Sequence, residues 1–141
     1  MNIAKTKYTV LGTDTNYLEV DNGDIITGCT EYKYLGSIFT KDGKDTKNIR
    51  HRVTQARKVN GIWWSKDIKN QKKTIYNSMV KSVLIYGAKT WSLYEDDRRR
   101  INATEMDALR RSAMISKLDR NTNEHIREKT DAPDTILDEI T

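Results

Sequence analysis

Tyr32-Lys33-Tyr34-Leu35-Gly36-Ser37-Ile38-Phe39-Thr40 and, past an Asp42-Gly43 turn, Asp45-Thr46-Lys47-Asn48-Ile49-Arg50-His51-Arg52-Val53-Thr54-Gln55-Ala56 bracket the point where this chain changes period. The first stretch is dense in β-branched and aromatic residues, with a glycine at its centre. A mid-strand glycine marks a bulge or a close backbone approach. In the second, Ile49, Val53 and Ala56 recur at three- and four-residue steps while Arg50, Arg52, Arg57 and Lys58 take the other faces. That is helical spacing. Strands before, helices after: the order predicts an α+β fold, with a small antiparallel sheet over about residues 6–40 followed by a helical bundle. The boundary is set between a β segment, 1–43, and a helical segment, 44–141.

Working outward toward the N-terminus, Tyr17-Leu18-Glu19-Val20 alternates in the strand manner and Ile25-Ile26-Thr27 returns from it, ended by Gly28. Asp21-Asn22-Gly23-Asp24 lies between them. Asn-Gly is a strong hairpin signal because both residues tolerate positive φ. Tyr8-Thr9-Val10-Leu11, closed by Gly12, reads as a further short strand. Toward the C-terminus, Gly61 weakens or ends the first helix, and Ser65 or Asp67 offers a cap for the next. That second helix carries Ile75, Met79, Val83 and Tyr86 in one stripe and Tyr76, Val80, Leu84 and Gly87 in an adjacent one, which predicts burial on more than one side. Lys69, Lys72, Lys73 and Lys81 point elsewhere. A third helix is expected near Glu95, because Glu95, Asp96 and Asp97 suit the positive end of a helix dipole. Its narrow stripe is Ile101, Ala108, Leu109, Ser112, Ala113 and Ser116. Asn121-x-x-Glu124 resembles a capping box for a short fourth helix, and Pro133 opens another over Asp134–Ile140.

The 141 residues suffice for one domain or a subdomain, and with 36% hydrophobic and 32% charged residues they support a modest core. The net charge is +5, and it is unevenly spread. Residues 41–89 hold thirteen Lys/Arg against three Asp/Glu, a net +10, while residues 1–40 and 121–141 are acidic. One basic block in a balanced chain suggests a polyanionic partner, since neutralised phosphates release condensed counterions; the alternative is a solvated helix face. Cys29 is the only cysteine, and His51 and His125 lie far apart, so neither a disulfide framework nor metal-ligand spacing is present in the sequence. Met1 leads straight into polar residues, and no run of about 18 apolar residues exists to cross a bilayer. An intracellular, reducing compartment is expected, with no membrane partner.

The stretch Tyr32 to Ile38 with Lys41-Asp42-Gly43 resembles a segment of non-LTR retrotransposon reverse transcriptases. Upstream, Asn2-Ile3-Ala4-Lys5-Thr6-Lys7 is similar to the signature that closes the palm in that family. Downstream, Val83-Leu84-Ile85-Tyr86-Gly87-Ala88-Lys89-Thr90-Trp91 resembles a thumb motif. Ile101 to Met106 with Leu109-Arg110-Arg111, and Asp119-Arg120 with Asn123 to Arg127, complete five matches in the family's order across almost the whole chain. The resemblance implies a palm end and a helical thumb that tracks a nucleic-acid duplex. It puts Lys5 on the lysine of a palm motif, as a remnant, and Tyr34, Leu35, Gly36 and Ser37 on the primer grip, a β-turn-β element that holds the primer's 3′ end. Arg50, Arg52, Arg57, Lys58, Lys69, Lys72 and Lys73 fall where thumb helices contact backbone phosphates, which position a duplex without reading its sequence. The catalytic Tyr-x-Asp-Asp of the family lies upstream of its lysine motif, and the family continues past the counterpart of Thr141. The expectation is therefore a fragment of an RNA-directed DNA polymerase with no catalytic residue or metal site of its own, the Mg²⁺ belonging to the intact enzyme. Its expected partners are an RNA–DNA or DNA duplex and the palm and fingers of a parent polymerase.

Tyr94-Glu95-Asp96-Asp97 spells Tyr-x-Asp-Asp within this chain. Arg98-Arg99-Arg100 follows and helical spacing resumes at once, so the acids are expected at a helix N-terminus rather than on a catalytic hairpin. Trp63 and Trp64 admit two roles, stapling a helix junction, the commoner one, or stacking on nucleic acid. Trp91 and Cys29 read as structural. Arg98–Arg100 and Arg110–Arg111 either contact phosphate or pair with acids one turn away. The competing functional reading is a domesticated or orphan protein-interaction module with no nucleic-acid role.

Overall fold

In the computed structural model the described residues are 2–10, 17–65, 68 and 71–140. The fold is α+β, with small antiparallel ladders in the N-terminal third and helices after them. Two compact units divide at Asn48 and Ile49.

The first unit holds two separate hairpins among its described residues, where one sheet was expected. Strand β1 (Tyr17–Glu19) pairs antiparallel with β2 (Ile25–Thr27), Leu18 opposite Ile26. In the connecting loop only Gly23 takes a positive φ, +84°. Its N–H donates to the Val20 carbonyl at 2.8 Å, and the Asn22 carboxamide accepts from Asp24 N–H at 3.1 Å. The turn therefore differs from the two-residue type expected of Asn-Gly; an ordinary turn followed by one left-handed glycine closes this hairpin.

The segment 32–40 is not one strand with a central glycine. It is a second hairpin, β3 (Glu31–Tyr34) against β4 (Ser37–Thr40), with Tyr34 opposite Ser37 and Tyr32 opposite Phe39. Leu35 and Gly36 form its two-residue turn at φ +47° and +81°. Positive φ at both positions matches the right-handed twist of the flanking strands. For a leucine it costs about 1–2 kcal/mol. Residues 8–10 form no strand: Tyr8 makes one parallel bridge with Gly28, Cys29 N–H donating to the Tyr8 carbonyl at 2.8 Å. Leu11 and Gly12 lie outside the described residues.

The second unit carries the core. Helix α1 (Thr46–Arg57) brings Ile49, Val53 and Ala56 into it, as the sequence spacing predicted. At Lys58 the helix tightens into a 3-10 run through Gly61 to Trp64. Asp67 lies outside the described residues, so its candidacy as a cap is left there. The next helix is continuous but irregular: α2 (Lys72–Ile75), a π-helical stretch Tyr76–Lys81, then α3 (Ser82–Ile85). The stripe Tyr76, Val80 and Leu84 is buried; of the other predicted stripe Ile75 is buried and Val83 packs half-buried against the core, whereas Met79 and Tyr86 are 42% and 49% exposed. A π turn bonds i to i+5, so residues four apart stay nearly in line through it.

Helix α4 (Glu95–Ala113) starts after Tyr94 and carries Glu95, Asp96 and Asp97 in its first turn. It ends at Met114 in the left-handed conformation, with Ile115 N–H on the Arg110 carbonyl at 3.0 Å. Helix α5 (Asn123–Thr130) is capped by Thr122, whose hydroxyl accepts from His125 N–H at 3.2 Å. The expected Asn121/Glu124 box is not the cap. A capping box does occur at Ser116 and Asp119, around the 3-10 turn Lys117–Asp119. Helix α6 (Ile136–Ile140) follows Pro133. Among the described residues no helix is long and apolar enough to cross a membrane.

A buried ion pair that spacing did not reveal fastens these helices. Glu105, on α4, is fully buried. Its carboxylate accepts from Arg127 Nη1 at 3.1 Å and Nη2 at 3.0 Å, from the Tyr76 hydroxyl at 2.9 Å and from Ile136 N–H at 3.2 Å. Arg127 Nη1 also donates to the Asp134 carbonyl at 3.0 Å. Burial disfavours the Arg127 charge, but the hydrogen bonds and charge of Glu105 win and hold its pKa above the ordinary arginine value. Burial first, and then the charge and hydrogen bond of Glu105, push the Tyr76 hydroxyl well above the usual tyrosine range. A proton held more tightly in the folded state stabilises fully below the unfolded pKa, about 10, and that contribution is lost as pH rises through the folded value. Stability should therefore fall above about pH 10 by up to ~1.4 kcal/mol per pH unit from this group. Alkaline unfolding curves of the wild type and Tyr76→Phe check it, and equal steepness in the two would refute the assignment.

Candidate nucleic-acid interface

On helix α1, Arg50 and Arg57 flank the buried stripe of Ile49, Val53 and Ala56, each about a quarter-turn from it. Arg50 and Arg57 are exposed seven residues apart, hence two turns and about 10 Å along the same face, with Lys58 next to them. Among the described residues none of the three forms an ion pair. Arg50 and Arg57 are carried by the helix and Lys58 opens the 3-10 run that follows it, and among the described residues no acid pairs with any of them.

The other basic candidates are placed differently. Arg52 is half-buried, its guanidinium 4.3 Å from the centre of the Tyr86 ring. Burial lowers its pKa, and Tyr86 offsets part of that. It packs on the ring that follows α3 rather than projecting outward. Lys72 is also half-buried and donates to the Ser112 carbonyl at 2.6 Å, satisfying an orphan carbonyl in the last turn of α4. Lys73 is exposed and paired with Asp131, whose pKa it lowers. Lys69 lies outside the described residues. The predicted set is thus brought together only in part, as the α1 stripe.

Tyr34, Leu35, Gly36 and Ser37 sit together at the tip of the β3–β4 hairpin. Leu35 is 73% exposed. Behind the tip the rings of Tyr32 and Tyr34 stack at 6.4 Å and 20°, and Phe39, opposite Tyr32, is 53% exposed. The second face of the hairpin is tied down: Ile38 N–H donates to the Asn48 carboxamide at 3.2 Å, and Lys47 pairs with Glu31. Lys5 is exposed at the end of the short 3-10 turn Ile3–Lys5.

Tyr94-Glu95-Asp96-Asp97 opens α4, with Arg99 Nε 3.2 Å from Glu95 Oε1. The acids lie where the helix dipole favours them. Among the described residues no three His, Cys, Asp or Glu side chains cluster to hold a metal ion. The tryptophan pair divides: Trp63 is fully buried and Trp64 is 62% exposed. Trp91 is half-buried against the core. No family model, curated protein or solved structure matches this chain.

Proposed function

We propose that this chain is the template–primer-holding part of a reverse transcriptase of the non-LTR retrotransposon type, and that it grips an RNA–DNA or DNA duplex through backbone phosphates. The observation that carries the reading is the α1 stripe of Arg50, Arg57 and Lys58, exposed and without ion pairs among the described residues. The ordered motifs from Asn2 to Arg127 support it. So does the Leu35-Gly36 tip, where a non-glycine residue is held at positive φ, the kind of strain that gathers at ligand clamps. In this reading Tyr34 to Ser37 steady a primer end and the stripe tracks the duplex. Nucleotide transfer is not assigned to these residues, and the Mg²⁺ chemistry belongs to the palm of the intact polymerase.

Titration of a fluorescent RNA–DNA hybrid at low salt tests the reading. Binding near micromolar protein is expected, weakening with salt at a log–log slope of about −0.9 per phosphate neutralised. Replacing Arg50, Arg57 and Lys58 with glutamine should remove most of that slope. No binding near micromolar protein rejects the proposal.

A second reading has its own observation. Tyr32, Tyr34 and Phe39 leave an aromatic face exposed on a two-stranded ladder that pairs with no further strand among the described residues, a surface suited to a protein partner. Light scattering after size exclusion separates the two, since a duplex-blind oligomer favours the interaction module.

A further inference from the structure

We infer that the groove beside Trp64 seats one unpaired nucleobase with its phosphate. The inference deepens the proposed duplex grip and rests on it for the polynucleotide partner. Trp63 and Trp64 are neighbours in sequence with opposite fates: one closes the core, the other leaves most of its indole in water. The chain turns to extended backbone at Ser65, ψ 134°, directly after the exposed ring.

Trp64 borders a groove of about 430 Å³ shared with Asp107, Arg110, Arg111, Met114 and Lys117. That volume lies in the range of small-ligand sites. The charges in it are ordered. Asp107 accepts from Arg111 Nε at 3.0 Å and from the Asn60 carboxamide at 3.2 Å, so its charge is locally matched and the guanidinium plane of Arg111 is fixed. Arg110 Nη2 donates to the Asn121 carbonyl at 2.9 Å and to the Asn123 carboxamide at 3.1 Å; neutral acceptors hold the group in place and leave its charge in force. Lys117 is exposed and forms no ion pair among the described residues. The groove therefore carries an exposed indole, an apolar thioether and an excess of positive charge, of which Arg110 is held in place.

That combination matches a nucleotide. An indole face accepts any base by stacking, guanidinium planes add to the stack, and the cations receive the phosphate. An acidic peptide would meet the charge but leave the ring without a planar partner. Paired bases inside a duplex have both faces covered, so the base that reaches Trp64 is an unpaired one.

Anisotropy titrations test this with three probes: a short blunt RNA–DNA hybrid, the same hybrid carrying a short single-stranded overhang, and the same overhang built from abasic nucleotides. The overhang should tighten binding by about tenfold, the scale of one stacked base. Trp64→Ala should abolish the gain, Trp64→Phe should keep most of it, and the abasic overhang should show none. Trp64 is exposed, so these variants keep the core. An overhang gain that survives Trp64→Ala, or an abasic overhang that binds as tightly as the natural one, overturns the inference. So does displacement of the overhang probe by a glutamate-rich peptide at equal concentration. If the blunt hybrid fails to bind while a single strand still does so through Trp64, the duplex grip falls and the base seat stands. If neither binds, both fall.

Discussion

Replacing Glu105 with alanine is expected to lower the stability of the helical unit by about 3–5 kcal/mol, the usual cost of breaking a buried pair on one side. The variant leaves the Arg127 guanidinium buried without its counter-charge, and it strips the Tyr76 hydroxyl and Ile136 N–H of their acceptor. Urea unfolding followed by circular dichroism measures it. Small domains have about 5–15 kcal/mol in total, so the transition should move far toward zero denaturant. Arg127→Ala should cost a similar amount. The two losses should not add, because each variant destroys the same interaction. Replacing both charges together, Glu105→Leu with Arg127→Met, should cost less than either single alanine variant, since a desolvated pair can be exchanged for packed apolar groups. An alanine variant within 1 kcal/mol of wild type would show that the carboxylate is not buried as described.

Trp63→Ala should be comparably damaging, at about 3–5 kcal/mol. The ring is fully enclosed by the cluster that includes Ile49, Val53, Leu84, Ile101 and Leu109. Removing it leaves a void that close-packed neighbours refill only in part. Its indole N–H has no acceptor among the described residues. Trp63→Phe therefore gives up an unsatisfied donor along with volume, and it should cost clearly less than alanine. Thermal unfolding of the two variants beside Trp64→Ala checks the ranking. Trp64→Ala should lie within about 0.5 kcal/mol of wild type, as surface changes do. Equal losses at 63 and 64 would remove the distinction on which the groove depends.

Some of this was legible in the residues and some was not, for physical reasons. The shift from period two to period 3.6 near Asp45 announced the fold class, and Ile49, Val53 and Ala56 named the buried face of α1. The acidic run at Glu95 marked the start of α4 because charge and dipole act locally. By residue pattern alone 32–40 read as one β-rich segment with a central glycine, and only the resemblance implied a turn there, because Leu-Gly is a poor signal for positive φ at both positions; leucine occupies it against its own preference. Burial on more than one side of the second helix was legible from its two stripes, but the π turn within it was not, since no local pattern announces one. Nothing in the sequence marked Glu105 and Arg127 for burial, because such residues are seldom buried unless paired and their pairing spans 22 residues. The basic block was visible as a count. Which of its members are spent inside the fold was not: Arg52 goes to an aromatic ring and Lys72 to a helix end, and both partners lie far away in sequence.

The ligands of Glu105 come from positions 76, 127 and 136. A chain leaving the ribosome makes the carboxylate well before the guanidinium that neutralises it, at a synthesis rate of about 5–20 residues per second. Until Arg127 and Ile136 have emerged, burying Glu105 would strand a charge, so α4 has to wait in water with its inner face uncovered. Assembly of the helical unit is thus timed by the segment that carries Arg127 and Ile136, and the interval before that segment arrives is when the nascent helices are most open to chaperones or to sticking to one another.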